Sequence, residues 1–191
     1  MALTDHHHRP LRADALRNRA RVLEAAAAVF AERGLDAGIP EIAARAGVGK
    51  ATVYRSFPSK EHLVAAIACE RLGWITEQAL LALGVPDAGQ AFEDLVLRIA
   101  ERQADDCSVA GSLAADIHLP ELDTARATTQ AALAQLIDRA RAQGALRPDA
   151  TAEDLRVLFT GISHVLRAAD QRDPAVWRRY GLLVADALRV R

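Results

Sequence analysis

The 191 residues carry 24 Lys and Arg against 25 Asp and Glu, and 51% of them are hydrophobic. So apolar a chain is not disordered, and its balanced charge excludes a surface coated with cations for indiscriminate nucleic-acid binding. Ala and Leu dominate the apolar residues and aromatics make up only 4%, which is the composition of an all-α protein. No run of about 18 apolar residues could cross a membrane. The opening MALTDHHHRPLRAD also lacks the apolar stretch of a signal peptide, so the expected location is the cytoplasm, with Cys69 and Cys107 as reduced thiols.

Charge is unevenly placed. Residues 1–63 hold ten Arg and Lys against seven Asp and Glu, and residues 64–191 hold fourteen against eighteen. Both lysines of the chain, Lys50 and Lys60, fall in the first part, within the stretch AGVGKATVYRSFPSKEHL. One end of the molecule is thus expected to face an anion.

In chain order, residues 1–16 show no helical period, and HHHRPLR reads as an arm broken at Pro10. It is either a solvated tail or a minor-groove contact through Arg9, Arg12 or Arg17. The arm's three consecutive histidines do not specify a metal geometry. From Asn18, Val22, Ala25, Ala26, Val29 and Phe30 recur at helical spacing until Gly34 stops the helix. Pro40 suits the first turn of a short second helix with Ile42, Ala43 and Ala46 on its buried stripe, ended by Gly47. Lys50 to Ser56 form a third, closed by Phe57-Pro58. Ser59 then caps a long helix running to about Leu83. Two short helices joined by a glycine turn predict a helix-turn-helix.

Beyond it, residues 90–104 place Phe92, Leu95, Val96 and Ile99 on one face. A short helix is expected over 109–118, stopped near Pro120. Further helices are expected from Leu122 to Gln143, from Ala152 to Ala169 capped by Asp149 or Thr151, and from Ala175 to Val190 opened by Pro174. The organisation expected is an arm (1–16), a three-helix helix-turn-helix domain (17–63) and a larger helical domain (64–191).

In a helix-turn-helix the second helix presents its first residues to base edges in the major groove. Lys50, Ala51 and Thr52 form that leading edge. Tyr54 and Arg55 follow one turn later, where they reach phosphates or, for Arg55, a guanine. Lys60 sits in the first turn of the next helix, where the dipole also favours a phosphate. Phe30, Val53, Phe57 and Leu63 read as core. The GK pair in AGVGKAT is not a phosphate loop, because GxxxxGK[ST] would need Gly at Ala44 and Ser or Thr at Ala51.

Residues 18–65 resemble the DNA-binding domain of the TetR family of transcriptional regulators. The resemblance rests on Ala25-Ala26, Phe30, Gly34, Ile42-Ala43, Ala46-Gly47-Val48, Thr52, Tyr54, Phe57, Lys60 and Leu63. The short loop after Gly34 and the segment GALRPDATAEDL are similar to an SbtR-like branch. Two departures stand out: Gly38-Ile39-Pro40 replaces the Thr or Ser that many members place before the second helix, and Gly49 replaces a capping Ser.

The resemblance implies a homodimeric repressor of a palindromic DNA operator, released by a small-molecule effector, with no cofactor and no enzymatic activity. Candidate pocket residues in the C-terminal domain, which would bind the effector and dimerise, are Trp74, Gln78, Phe92, Val96, Ile99, Cys107, His118, Phe159 and Ser163. The last two helices carry broad apolar faces, and Leu155, Leu158, Ile162, Val165, Trp177, Tyr180, Val184 and Leu188 are the candidate dimer contacts. His164 is a further candidate at a subunit contact. A metal cluster of Cys107, Asp116 and His118 has no recognised ligand spacing. No GxSxG, HExxH, dinucleotide fingerprint or paired cysteine ligand supports an enzyme.

Overall fold

The computed structural model describes residues 8–105 and 116–190. Within them the chain forms eight α-helices: α1 (His8–Arg33), α2 (Ile39–Ala46), α3 (Lys50–Ser56), α4 (Lys60–Ala82), α5 (Ala88–Asp105), α6 (Pro120–Ala142), α7 (Ala152–Ala168) and α8 (Pro174–Leu188). The expected all-α architecture is therefore observed. The expected 109–118 helix falls mainly outside the described residues, while 116–118 form a turn and extended chain. The arm read over 1–16 requires correction, because α1 already begins at His8. Pro10 lies in the first turn, where its missing N–H has no intrahelical partner to lose.

Two apolar cores organise the helices. The first joins α1 to α2, α3 and the start of α4 through the fully buried Phe30, Ile42, Val53 and Leu63. Each such side chain stabilises the fold by about 1.5–3 kcal/mol. The exposed pairs Arg45–Glu32 and Arg33–Glu41, both 2.7 Å, lie across the same helices. Pairs of that kind contribute about 0–1 kcal/mol each, so burial holds this domain together. The second core gathers the far end of α4 with α5, α6, α7 and α8 around Leu95, Val96, Leu136 and Leu188.

Local chemistry sets the helix ends. Ser59 accepts the His62 backbone N–H at the start of α4. Thr151 and Asp154 complete a capping box at the start of α7, selecting Thr151 from the two candidate caps. On α6, Arg139 donates to the Leu83 and Pro86 carbonyls and Gln143 accepts from Ala88 N–H, so three free backbone groups of the α4–α5 turn are satisfied. Pro120 occupies the first turn of α6.

The two cores meet at the start of α6. Leu122 is fully buried and packs with the core of α1 to α4, flanked by the half-buried Ile117 and Leu119. Helix α4 spans both cores, its first half contributing Leu63, Val64 and Ile67 to one and its last turns Ala79 and Ala82 to the other. Gly73 lies midway, with open space where a side chain would stand.

Two outcomes follow. Leu122→Ala removes a fully buried side chain and should destabilise the protein by about 2–5 kcal/mol, measured by urea unfolding. Hydrogen bonds from the Thr151 side chain and backbone hold the Asp154 carboxyl below its ordinary value of 3.8. A depressed carboxylate contributes stability above its unfolded pKa and loses it as pH falls through the folded one. The melting-temperature difference between wild type and Thr151→Ala should therefore be largest near pH 7 and narrow toward pH 3.

Candidate nucleic-acid interface and ligand cavity

Helices α2 and α3 are joined by Gly47, Val48 and Gly49. The turn is compact because Gly47 adopts left-handed backbone (φ 65°), directing its own N–H to the Ala44 carbonyl and the Val48 N–H to that of Ala43. Arg21 of α1 donates through Nη2 to the Ala46 carbonyl at 2.7 Å, satisfying one of the last carbonyls of α2. A Cβ on Gly47 would stand 2.8 Å from that nitrogen. Arg19 supports the other end of the motif, donating to the Ser56 carbonyl at 3.2 Å and lying 4.2 Å over the Phe57 ring.

Held this way, α3 buries Val53 completely and turns Lys50, Ala51, Tyr54 and Arg55 to solvent. Tyr54 is 51% exposed, so it is a surface residue and not part of the core. Thr52 is half-buried, and its hydroxyl accepts a 3.2 Å hydrogen bond from Arg55 Nη2. No acidic residue occupies the first turn of α3. Lys60 is half-buried with its Nζ 5.7 Å from the centre of the Phe30 ring, which ties the cation to the domain core. The two departures noted in the sequence recur as helix starts: Gly38 and Gly49 are the caps of α2 and α3, and neither helix has a side-chain cap.

A cavity of about 1100 Å³ lies in the C-terminal domain among α4, α5, α6 and α7. Its walls are apolar where Leu72, Ile75, Ile99, Leu133 and Phe159 meet, and polar at Gln103, Thr129, Ser163 and several arginines. Ser163 and Gln103 share a buried hydrogen bond. Thr129 is 2.9 Å from the Thr76 hydroxyl and donates to the Leu72 carbonyl at 3.2 Å, a polar junction between α4 and α6. Leu122 and Ala68 line the cavity and also belong to the core of the first domain.

A smaller recess of about 540 Å³ lies between α1 and α4, reached by Arg19, His62, Cys69 and Glu70. Burial pushes the Cys69 thiol up, with Glu121 adding to the rise and Arg126 opposing it. The rise disfavours the thiolate, the nucleophilic form of a cysteine. Among the described residues no group of three His, Cys, Asp or Glu could hold a metal.

Comparison with known proteins places this geometry. Residues 22–67 match the model for bacterial regulatory proteins of the tetR family, and residues 87–190 match the C-terminal domain of SbtR-like transcriptional regulators. A TetR transcription regulatory protein from Mycobacterium vanbaalenii is 35% identical, with 95% of this chain and 100% of that one covered and a TM-score of 0.59. The chain belongs to the TetR family of transcriptional regulators. A second TetR regulator, from Streptomyces coelicolor, is 31% identical over 90% of this chain and 98% of its own, with a TM-score of 0.61. A third structure, described as the molecular basis for control of antibiotic production by bacterial hormones, is 28% identical, covers 90% of this chain and 97% of its own, and has a TM-score of 0.69. No curated protein sequence matches at the same stringency. TetR-family members are transcription regulators and not enzymes, and no helix among the described residues is long and apolar enough to cross a membrane.

The TetR-type C-terminal domain redistributes several sequence candidates. Of the expected pocket residues, Ile99, Phe159 and Ser163 line the cavity. Phe92 and Val96 are instead fully packed in the second core. Trp74 packs against that core and lies under the Arg102 guanidinium at 4.5 Å, Gln78 accepts from Arg98 at 3.2 Å, and His118 is exposed beside Asp123. Cys107 lies outside the described residues. Leu72, Leu122, Thr129 and Leu133 also line the cavity; apolar spacing does not separate such leucines from core, and it gives no signal for Thr129.

The proposed dimer residues separate in the same way. Trp177, Val184 and Leu188 are buried inside the protomer, Trp177 at 1% exposure, and Leu155 lines the cavity. Gly181 explains the close approach of α8 to α5, since a Cβ there would lie 2.9 Å from that of Ala100. Leu158, Ile162 and Tyr180 are half-buried, and Val165 is 65% exposed. His164 is exposed at the cavity rim. The outward apolar residues of α7 and α8 are Val157, Val165, Leu182 and Leu183.

Gly47→Ala should destabilise the protein by about 1–2 kcal/mol, because it combines left-handed backbone with displacement of Arg21. Gly49→Ala, at φ −73° with open space around it, should cost less. Paired urea unfolding curves of the two variants check this ordering.

Proposed function

We propose that the protein is a repressor that binds a palindromic DNA operator as a homodimer in the cytoplasm and leaves it when a small molecule enters the C-terminal cavity. The observation that carries this reading is α3. One face of that helix is fixed by Val53, and the opposite face offers Lys50, Ala51, Tyr54 and Arg55 to solvent. Such a helix fits a major groove with its N-terminal residues foremost. Lys50, Ala51 and Thr52 approach the base edges. Tyr54 takes a phosphate, Arg55 takes a guanine or a phosphate, and Lys60 adds a phosphate contact at the start of α4.

Dimerisation is supported by the outward residues Val157 and Val165 of α7 and Leu183 of α8, a surface that pairs with a second copy through a two-fold axis. That symmetry would set the recognition helices about 34–36 Å apart, one turn of DNA. The functional organisation retained is a DNA-binding module up to residue 63 and an effector-binding and dimerisation module from residue 64. Release follows from the shared elements. A ligand that displaces α4 from α6 disturbs Leu122, which also packs on the DNA-binding domain. Linkage then requires that DNA weaken ligand binding by the factor by which ligand weakens DNA binding, a coupling of about 1–3 kcal/mol.

Selection from a random duplex library at two salt concentrations tests the reading, with a recovered palindrome expected. Recovery of unrelated sequences with no preference would overturn it. On the selected site, Arg55→Ala should cost about 1–3 kcal/mol and relax preference at its contacted position. Lys60→Ala should weaken all DNA binding and lower the log–log salt slope by about one; an unchanged slope removes Lys60 from the phosphate contacts. Val165→Glu with Leu183→Glu should give a monomer by analytical ultracentrifugation and abolish operator binding.

A further inference from the structure

The charges around the cavity are met within the chain. Arg126 is ion-paired with Asp123 at 2.9 Å, Arg156 pairs with Glu153, and Arg71 and Arg167 also have intramolecular partners. The uncharged polar groups of the wall are a different case. Gln103 of α5 and Ser163 of α7 are only 7% and 8% exposed, and both line the cavity. The Ser163 hydroxyl donates to Gln103 Oε1, which occupies one end of the carboxamide. The other end, Nε2, carries two N–H donors and makes no hydrogen bond to the described residues. Thr129 is placed otherwise, because its hydroxyl is committed to the Leu72 and Ala125 carbonyls and to Thr76. Apolar wall borders the polar pair on both helices. Ile99 precedes Gln103 by four residues on α5 and Phe159 precedes Ser163 by four on α7, so each stands one helical turn from its polar neighbour on the same face.

We propose that the cavity selects a neutral molecule that presents a carbonyl oxygen to Gln103 Nε2, with its apolar body lying along Ile75, Ile99, Leu133 and Phe159. The inference rests on the reading of the cavity as the effector site and gives that effector a chemical class. Ser163 is a positioning residue: by holding the amide oxygen, its hydroxyl leaves the nitrogen as the end offered to a ligand. A buried donor left without an acceptor is costly, so the site penalises a molecule of the same shape that lacks the oxygen. A neutral ligand also leaves the Arg126–Asp123 and Arg156–Glu153 pairs intact. The volume, about 1100 Å³, is at the upper end for small-molecule sites and accepts a body of about ten or more heavy atoms.

Equilibrium dialysis of the full-length protein with two shape-matched pairs tests this: 2-acetylnaphthalene against 2-isopropenylnaphthalene, and 4-phenyl-2-butanone against 2-methyl-4-phenyl-1-butene. In at least one pair the ketone should bind more tightly than its hydrocarbon, the reverse of their order of transfer from water to an apolar medium. Gln103→Met keeps an unbranched side chain of similar length and removes both donors. It should weaken that ketone about tenfold and leave the hydrocarbon within about threefold, so the hydrocarbon reports on the integrity of the cavity in the same variant. A hydrocarbon as tight as its ketone or tighter in both pairs, a ketone loss in Gln103→Met no larger than the hydrocarbon's, or no binding by any of the four compounds overturns the proposal. Operator affinity is measured with the same compounds. A ketone held through Gln103 that leaves DNA affinity unchanged sinks the effector reading and supports the carbonyl preference, whereas compounds that release DNA with no dependence on Gln103 do the reverse.

Discussion

The structure depends on the sharing of one rigid helix by two apolar cores. Helix α4 has 23 residues, so it is roughly 35 Å long. Its first half closes the DNA-binding domain through Leu63 and Val64, and its last turns seal the second core through Ala79 and Ala82. A helix does not bend sharply without breaking backbone hydrogen bonds, so displacement at one end is carried to the other. Leu122 makes the arrangement two-sided, because α6 reaches back into the same core from the wall of the cavity.

The first domain is built for accurate presentation and little else. Its core is a handful of large side chains, and the polar links between its helices are placed at free backbone groups: Arg21 at the end of α2 and Arg19 at the end of α3. Those links set the angle at which α3 stands on the domain. The glycine caps of α2 and α3 leave both helix starts without side-chain acceptors, and the Glu41 and Thr52 N–H groups turn instead to the Gly38 and Gly49 carbonyls, at 3.1 and 2.9 Å.

Much of this was legible in the sequence because local rules and packing agree. Pro40, Gly47, Ser59, Gly144 and Pro174 stand at or within the ends of turns and helices and mark boundaries that the structure reproduces. Residues 1–16 read as an arm because the sequence there has no apolar period; the structure carries α1 back to His8, and Leu16 on it is 68% exposed. The cavity was only partly legible. Periodicity marks Phe92 and Phe159 alike as buried, but only the packing of α5 against its neighbours decides that Phe92 fills a core and Phe159 borders a void. The same limit applies to α8, whose Trp177, Val184 and Leu188 are buried within its own protomer while Leu182 and Leu183 face outward.

The distribution of the two lysines has a chemical consequence. Every other basic side chain with a fixed positive charge is a guanidinium, which stays cationic throughout the physiological pH range. Both ε-amines, Lys50 on the outward face of α3 and Lys60 in the first turn of α4, stand where the DNA-binding domain meets solvent. Side-chain acetylation of this molecule would therefore be confined to its helix-turn-helix module. Each modified lysine would cancel a cation there and leave the charge of the C-terminal helices unchanged.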